Sequence, residues 1–281
     1  MGPVIAVVAP GNMGAAVGQR LVERGARVIT PLQGRSTATV ARARAARLEP
    51  IEESALAETD FVLSIVPPGA AAALAERLSR VLAQAKRKPI YIDCNAVSPE
   101  TVTGIAAVIA RTGTPFVDAG IIGGPPKPNT SGPRFYASGP AKGAFAELRA
   151  FGLDIVALDG PVGAASALKM SYAGITKGMT ALGAAMFLAA TRAGVAAALH
   201  AELKFSQEAL LKRFTQNLPD MYGKAYRWVA EMEEIARFAA EDPGAAEIYQ
   251  GAARLYERLA ADAAGGRREI SELDSFLGGG R

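Results

Sequence analysis

Short aliphatic runs without polar alternation recur along the first part of the chain, separated by stretches with helical periodicity. Such runs are typical of strands that are buried on both faces of a sheet. Strands are accordingly predicted at Val4–Ala9, Arg27–Thr30, Phe61–Val66, Ile90–Cys94, Phe116–Asp118, Arg134–Ala137 and Ile155–Leu158. Because strands and helices alternate, we predict a parallel sheet covered on both faces by helices.

The pattern becomes purely helical after Gly160-Pro161. Residues 162–199 are rich in Ala, Leu, Met and Gly and contain neither proline nor acidic residues, which predicts one long apolar helix. The remainder is helical as well, with breaks predicted at Asn217–Pro219 and Asp242–Gly244. One later helix is amphipathic: its apolar face holds Trp228, Met232, Ile235 and Ala239, and its predicted solvent-facing side holds Arg227, Glu231 and Glu234.

The first predicted strand runs into a turn, Ala9–Gly14, that leads directly into a helix. In dinucleotide-binding proteins a glycine at the position of Gly11 lets the backbone approach a pyrophosphate, and one at Gly14 lets the helix pack close to the strand. The helix N-terminus offers N–H groups and a positive dipole end to the phosphates. Ala9 replaces the first glycine of this fingerprint, so a purely structural turn is the alternative interpretation.

With this turn, the predicted fold class is α/β: an N-terminal Rossmann-type parallel sheet domain followed by an all-α C-terminal domain. We place the first domain at residues 1–160 and the second at residues 161–281, entered through the long interdomain helix. The second domain is apolar and too thin to close a site alone, so we expect a homodimer.

The loop after the second strand bears on the choice of cofactor. NAD-binding versions carry an acidic residue there for the ribose 2′-hydroxyl. This chain instead has Arg35, Ser36 and Thr37. A guanidinium pairs well with phosphate oxygens, and the two hydroxyls can donate hydrogen bonds. The segment therefore favours NADP over NAD; the alternative is an exposed loop in which Ser36 caps the next helix.

Composition and charge exclude several classes of function. The net charge is +4, and no Lys/Arg cluster is interleaved with aromatic residues, so we expect no binding to nucleic acid. The one cysteine, Cys94, cannot form an intrachain disulfide, and we expect no metal. The longest charge-free apolar stretch, Gly178–Thr191, is shorter than the ~20 residues of a membrane span. Without a signal-peptide pattern, the expected location is cytoplasmic, without membrane contact.

Few residues can serve as an acid or base in a hydride transfer. No tyrosine is followed four residues later by lysine, and the one histidine, His200, lies after the long helix. Between residues 161 and 199 the charged residues are Lys169, Lys177 and Arg192. Lys169 lies near the helix start, where the chain leaves the first domain, so we predict that it is catalytic. The alternative is a solvated lysine on a buried helix.

These residues together resemble the β-hydroxyacid dehydrogenase family, which is similar to 6-phosphogluconate dehydrogenase and to imine reductases. The resemblance covers residues 3–195, and the matching segments are Ala9–Gly14, Ser64–Pro68, Asp93–Pro99, Asp118–Gly124 and Gly163–Lys169. It implies that Lys169 occupies the position of the family's catalytic lysine. It also implies a set of residues that contact the cofactor: Gly11, Asn12, Met13, Gly14, Val66, Pro67, Pro68 and Asn95.

The substrate side departs from the family pattern. Asn95-Ala96 replaces a Ser-Thr pair, Ile122 replaces the serine before Gly123-Gly124, and Tyr172 lies in the turn where an asparagine usually follows the lysine. The expected substrate-binding residues are Asn95, Ile122, Gly123, Gly124 and Tyr172. Because polar side chains that could hydrogen-bond to a substrate hydroxyl are replaced, we expect a substrate different from that of the standard members.

The predicted function is an NADP-dependent oxidoreductase that moves a hydride between nicotinamide and a small hydroxy acid or related alcohol/carbonyl substrate. Lys169 would take or return the hydroxyl proton. An imine reductase is an alternative, because Tyr172 could serve a C=N substrate. A non-catalytic NADP-binding sensor is another.

Overall fold

The computed structural model describes residues 2–127 and 130–278. The residues outside this description are Met1, Pro128, Asn129 and residues 279–281. They include the start of the first predicted domain and the end of the second. The chain divides into two compact units, Met1–Met170 and Ser171–Arg281, which we call the first unit and the helical unit. The division falls inside the long helix that follows the sheet.

The described residues of the first unit form an eight-stranded sheet in the order β3-β2-β1-β4-β5-β6-β7-β8. The strands are β1 (Val4–Val8), β2 (Arg27–Pro31), β3 (Glu49–Ile51), β4 (Phe61–Ser64), β5 (Ile90–Asp93), β6 (Phe116–Ile122), β7 (Arg134–Ser138) and β8 (Asp154–Ala157). All seven predicted strands are present. β3 was not predicted, because it is only three residues long and contains Pro50, which is tolerated at the edge of a sheet.

The sheet is parallel through its first six strands, but β7 runs antiparallel to β6, and β8 is parallel to β7. The connection between β6 and β7, residues 123–133, is too short for the crossover that a parallel neighbour requires. The prediction of an entirely parallel sheet was therefore wrong at this edge. The order of the first six strands is that of a Rossmann sheet, so the predicted fold class is confirmed.

Within the described residues the chain forms eleven α-helices. They are α1 (Asn12–Glu23), α2 (Thr37–Ala45), α3 (Ala71–Gln84), α4 (Pro99–Ala110), α5 (Lys142–Ala146), α6 (Ala164–Arg192), α7 (Ala196–Ser206), α8 (Glu208–Tyr222), α9 (Ala225–Phe238), α10 (Pro243–Ala264) and α11 (Arg268–Leu277). The predicted break at Asp242–Gly244 is present, because the Asp242 side chain caps α10 and Pro243 occupies its first position.

Two hydrophobic cores cover the two faces of the sheet. Ile5 and Val7 of β1 pack in one core with residues of α1, α2 and α5. Ala6 and Val8, which point to the opposite face, pack in the other core with residues of α3 and α4. The aliphatic runs lack polar alternation because both faces of these strands are buried.

Two predictions for the helical unit were wrong. Helix α8 continues through Pro219, although proline weakens a helix interior. Leu218 and Met221 are fully buried on either side of it, so tertiary packing outweighs the local penalty. The predicted solvent-facing side of α9 contains two buried carboxylates, Glu231 and Glu234. Each forms an ion pair, with Lys177 and Arg237 respectively, which makes the burial possible.

Helix α6 is much longer than its charge-free stretch. By length and composition alone it could cross a membrane, and half of its most apolar 18-residue window is buried inside the protein. Core helices of soluble proteins meet the same criterion, so this feature is weak evidence for a membrane span.

Candidate active site

The candidate site lies where the carboxyl ends of neighbouring strands meet. The chain order of the strands reverses between β1 and β4, which are adjacent and parallel. In open α/β sheets, ligands bind outside the carboxyl ends of the strands at such a reversal. The predicted cofactor residues follow the carboxyl ends of β2, β1, β4 and β5, which are consecutive in the sheet. The topology therefore brings together segments that are far apart in sequence.

The turn after β1 has the properties of a phosphate cradle. Helix α1 begins at Asn12, with Gly11 as the N-cap. A Cβ built on Gly14 would lie 2.1 Å from the carbonyl oxygen of Ala9, so only glycine allows this close approach of helix and strand. A Cβ built on Gly11 would meet no atom within 4 Å. The backbone N–H groups of Asn12 and Met13 lie in the first turn and have no intrahelical acceptor, so this turn fits a pyrophosphate.

The segment Arg35–Thr37 lies between the carboxyl end of β2 and the start of α2. Ser36 caps α2 by accepting a hydrogen bond from the backbone N–H of Thr39 at 3.3 Å, as its position in the sequence predicts. The Arg35 side chain is half-buried, and Ser36 and Thr37 are exposed. An arginine and two hydroxyls at this strand end suit the 2′-phosphate of NADP.

Asn95 connects the carboxyl ends of β4 and β5. Its Oδ1 accepts a hydrogen bond from the backbone N–H of Val66 at 2.7 Å. Its Nδ2 donates to Ser64 Oγ and to Asp93 Oδ2, both at 2.9 Å. Both amide hydrogens of this buried side chain are thus used within the protein. Asn95 holds the Val66–Pro68 turn in place, the segment that resembles a cofactor-contacting turn of the family.

Two buried carboxylates lie side by side beneath this edge, because Asp93 of β5 and Asp118 of β6 are directly paired in the sheet. Burial, and to a smaller extent the charge of Asp118, raise the pKa of Asp93 to about 7, although the hydrogen bonds from Asn95 lower it. Burial likewise raises the pKa of the neighbouring Cys94 thiol. A thiol in this state is a poor nucleophile, which argues against covalent catalysis by Cys94.

Lys169 lies in the second turn of α6 and is half-buried. A Cβ built on Gly120 of β6 would lie 3.0 Å from the Lys169 Cβ and 2.9 Å from the carbonyl oxygen of Ala165. Gly120 thus allows the start of α6 to lie directly on β6. Lys169 is thereby held close to the end of the strand that leads into Gly123-Gly124.

The predicted substrate residues lie in two places. Ile122 ends β6 and is half-buried, and Gly123 follows it with a φ of +124°, a conformation that favours glycine. Gly124 is exposed, and a Cβ built on it would meet no atom within 4 Å. Tyr172 belongs to the helical unit and lies one helical turn after Lys169, with 49% of its surface exposed.

Three residues of the site's framework were missed by the sequence analysis. Asp118, Ser138 and Ser166 are buried polar residues, and both serine hydroxyls donate hydrogen bonds to the Asp118 carboxylate. The signal for Asp118 was a single carboxylate inside an aliphatic run, which must find partners if it is buried. Nothing in the sequence indicated Ser138 and Ser166 as those partners, because the contacts depend on the tertiary structure.

His200 lies within α7 and packs edge-on against the ring of Phe276, with centroids 5.7 Å apart. This contact accounts for the lone histidine as a packing residue. In residues 2–127 and 130–278, no group of three or more His, Cys, Asp or Glu side chains is arranged to hold a metal ion.

Residues 4–152 match the family described as the NAD-binding domain of 6-phosphogluconate dehydrogenase, and residues 190–259 match a domain of unknown function, DUF1932. No curated protein matches the chain. Among solved structures, the chain is 30% identical to a conserved protein of unknown function that is described as similar to 3-hydroxyacid dehydrogenases. That match covers 93% of this chain and 98% of the other, with a TM-score of 0.68.

More distant structures share the fold. The 3-hydroxyisobutyrate dehydrogenase of Mycobacterium tuberculosis, solved with L-serine, is 22% identical over 94% of this chain and 96% of its own, with a TM-score of 0.69. An imine reductase from Myxococcus stipitatus, solved with NADP⁺, is 15% identical over 98% of this chain and 99% of its own, with a TM-score of 0.55. Since the family match spans more than half of the residues, the chain belongs to the family of the NAD-binding domain of 6-phosphogluconate dehydrogenase.

Proposed function

We propose that this protein is a soluble, cytoplasmic, NADP-dependent oxidoreductase that acts on a small hydroxy acid or a related alcohol/carbonyl pair. Family membership supports the coarser statement that it is an NAD(P)-binding oxidoreductase of the hydroxyacid dehydrogenase or imine reductase type. The finer proposal, on cofactor and substrate, comes from the residues of the site.

The observation that carries the proposal is the position of Lys169. Its Cβ lies against Gly120 of β6, and the exposed Gly123-Gly124 turn follows at the end of the same strand. NADP(H), when bound, supplies or accepts the hydride. The Lys169 amine takes the proton of the substrate hydroxyl during oxidation and returns it to the oxygen during reduction.

The glycine turn also suits an acidic substrate. Gly123 and Gly124 have no side chains that would obstruct the approach of a ligand to the backbone N–H groups, which can donate to a carboxylate. Ile122 brings an apolar side chain where the family pattern has a serine. We therefore favour a hydroxy acid with an apolar substituent over a polyhydroxylated one.

The test is turnover by the purified protein. NADPH oxidation is followed with small 3-oxo acids and with the cyclic imine 1-pyrroline, and NADP⁺ reduction with 3-hydroxyisobutyrate and L-serine. Turnover on the oxo acid or hydroxy acid arm is expected. Turnover confined to 1-pyrroline would identify an imine reductase, the alternative favoured by Tyr172 in place of the usual asparagine. NADPH binding without turnover on any arm would support a sensor.

Cofactor choice is tested by Arg35→Ala. This variant is expected to weaken NADPH binding by about 1.5–3 kcal/mol, the range for hydrogen bonds to charged groups, and to leave NADH binding nearly unchanged. The dissociation constants are measured by fluorescence titration. Arg27→Ala is the matched control, because Arg27 begins β2 and pairs with Glu49 at the far end of the strand. Equal losses for both cofactors in Arg35→Ala would contradict the assignment.

We also propose that the protein is a homodimer. In the helical unit, α6 exposes four large apolar side chains on one face: Tyr172, Ile175, Leu182 and Met186. Successive members are three, seven and four residues apart. Such spacing forms the seam of a helix that packs against another helix. Helix α7, which follows, has no buried residue, and Phe205 on it is 88% exposed. A second copy of the chain would cover these surfaces.

The expected interface exceeds ~2,000 Å², and light scattering at low micromolar concentration should give the mass of a dimer. Leu182→Glu should shift the protein to a monomer, because it places a charge in the apolar seam. Ile248→Glu, at an equally exposed apolar position on α10, should not do so. A stable and active wild-type monomer would refute the proposal.

A further inference from the structure

The Asp118 carboxylate is buried in β6 and connects the sheet to the start of α6. Its Oδ2 accepts hydrogen bonds from the backbone N–H groups of Gly163 and Ser166, at 2.9 and 3.0 Å, and from Ser138 Oγ at 3.0 Å. Its Oδ1 accepts one from Ser166 Oγ at 2.7 Å. Four donors thus converge on one side chain that is 1% exposed.

These bonds satisfy the N-terminal N–H groups of α6, which have no acceptor within the helix. The N–H groups of Gly163 and Ser166 donate to Asp118, and that of Ala165 donates to Ser138 Oγ at 3.0 Å. A negative charge at this end is also favoured by the helix dipole. The acceptors lie on β6 and β7, so the first turn of α6 is fastened to the sheet and not only capped.

Lys169 lies one turn beyond this attachment, three residues after Ser166 and four after Ala165. Gly120, two residues after Asp118 on the same face of β6, seats this second turn, because a Cβ there would be 3.0 Å from the Lys169 Cβ and 2.9 Å from the Ala165 carbonyl oxygen. One strand therefore fixes both consecutive turns, the first by hydrogen bonds and the second by close contact.

We propose that Asp118, together with Ser138 and Ser166, is a positioning group that sets the place of Lys169 relative to the carboxyl edge of the sheet. This inference rests on the proposed function, in which Lys169 transfers the proton. Asp118 touches neither substrate nor cofactor; it acts through α6. Displacement of a catalytic group by about 1 Å can lower the rate by ~10²-fold, so such an attachment has a measurable role in turnover.

The first test is Asp118→Asn. This change preserves the shape of the side chain but replaces one carboxylate oxygen, which accepts hydrogen bonds, with an NH₂ group, which faces other donors. We expect kcat to fall by ~10–10²-fold, with the dissociation constant of NADPH within about two-fold of the wild type. The rate is expressed per NADPH-binding molecule, so loss of folded protein does not count as loss of rate. Hydrogen exchange at the amides of residues 163–166 should accelerate.

Asp60→Asn is the matched control. Asp60 accepts the backbone N–H of Val4 at 2.8 Å and pairs with Arg87 at the amino edge of the same sheet, away from α6. It should leave kcat per NADPH-binding molecule unchanged. A similar fall of kcat in both variants would show a general response of the sheet to a lost carboxylate and would overturn the inference.

A second variant keeps the inference testable if Asp118→Asn fails to fold. Gly120→Ala pushes α6 away from β6 without removing a hydrogen bond and should also lower kcat by ~10–10²-fold at unchanged NADPH affinity. Gly104→Ala is its control, since a Cβ at this position on α4 meets no atom within 4 Å. Wild-type kcat in Gly120→Ala, or in a folded Asp118→Asn, would overturn the inference.

Lys169→Ala separates the two levels of the proposal. If it abolishes turnover while Gly120→Ala and Asp118→Asn retain it, the proposed function stands and the positioning role fails. If Lys169→Ala itself retains turnover, both fail.

Discussion

Replacing Lys169 with alanine is expected to lower kcat by ~10²–10⁴-fold, the range for loss of a general acid/base. NADPH binding should stay nearly intact, because the glycine turn after β1 and Arg35 hold the phosphates in our proposal. The measurements are steady-state turnover on the substrate found by the panel and fluorescence titration with NADPH. A parallel loss of cofactor affinity would place Lys169 in the cofactor site instead.

Two further lysine variants sharpen this test. Lys169→Arg keeps a positive charge and a long side chain, but a guanidinium does not give up its proton, so turnover should fall as in the alanine variant. Lys86→Ala, at an exposed lysine after α3, should leave turnover unchanged. Wild-type turnover in Lys169→Ala would refute the lysine mechanism, and Tyr172 in an imine-reducing site would become the next candidate.

The predictable parts of this fold are those fixed by local pattern. Strands buried on both faces are mostly apolar and lack polar alternation, so β1, β4 and β5 could be predicted from the sequence. The glycine turn was visible because Gly14 permits an approach that any side chain would block. Ser36 as a helix cap follows from the same kind of local rule.

The parts that escaped prediction depend on contacts between distant segments. The direction of β7 depends on the length of a loop, and its amino-acid pattern is the same in either direction. The role of Asp118 depends on Ser166, 48 residues later in the chain. From the sequence, Glu231 is predicted to be a surface residue, because its partner, Lys177, is 54 residues away in the chain. A buried charge is recognisable in a sequence only when its partner is known.

Lys177 also shows why spacing alone could not rank the two lysines of α6. It forms an ion pair with the buried Glu231, and its ammonium lies over the Trp228 ring, 5.0 Å from the centroid. Tyr256 packs against Trp228 and donates a hydrogen bond to the Lys177 carbonyl oxygen at 2.6 Å. Burial raises the pKa of the Tyr256 phenol, and the charge of Glu231 raises it further, so this hydroxyl remains a donor. These contacts give Lys177 a structural role.

Lys177→Ala is therefore expected to lower the free energy of unfolding by about 3–5 kcal/mol, because it leaves the Glu231 carboxylate buried without its cation. Lys177→Met/Glu231→Leu should recover most of this loss, since apolar residues of similar volume often replace a buried ion pair without cost. Urea unfolding followed by the fluorescence of Trp228, the one tryptophan, reports directly on this cluster. If the double variant is the less stable of the two, apolar residues do not replace the pair at this place. If the single variant unfolds at the urea concentration of the wild type, the ion pair does not stabilise the helical unit. In that case Lys177 would again have to be tested beside Lys169 as a functional lysine.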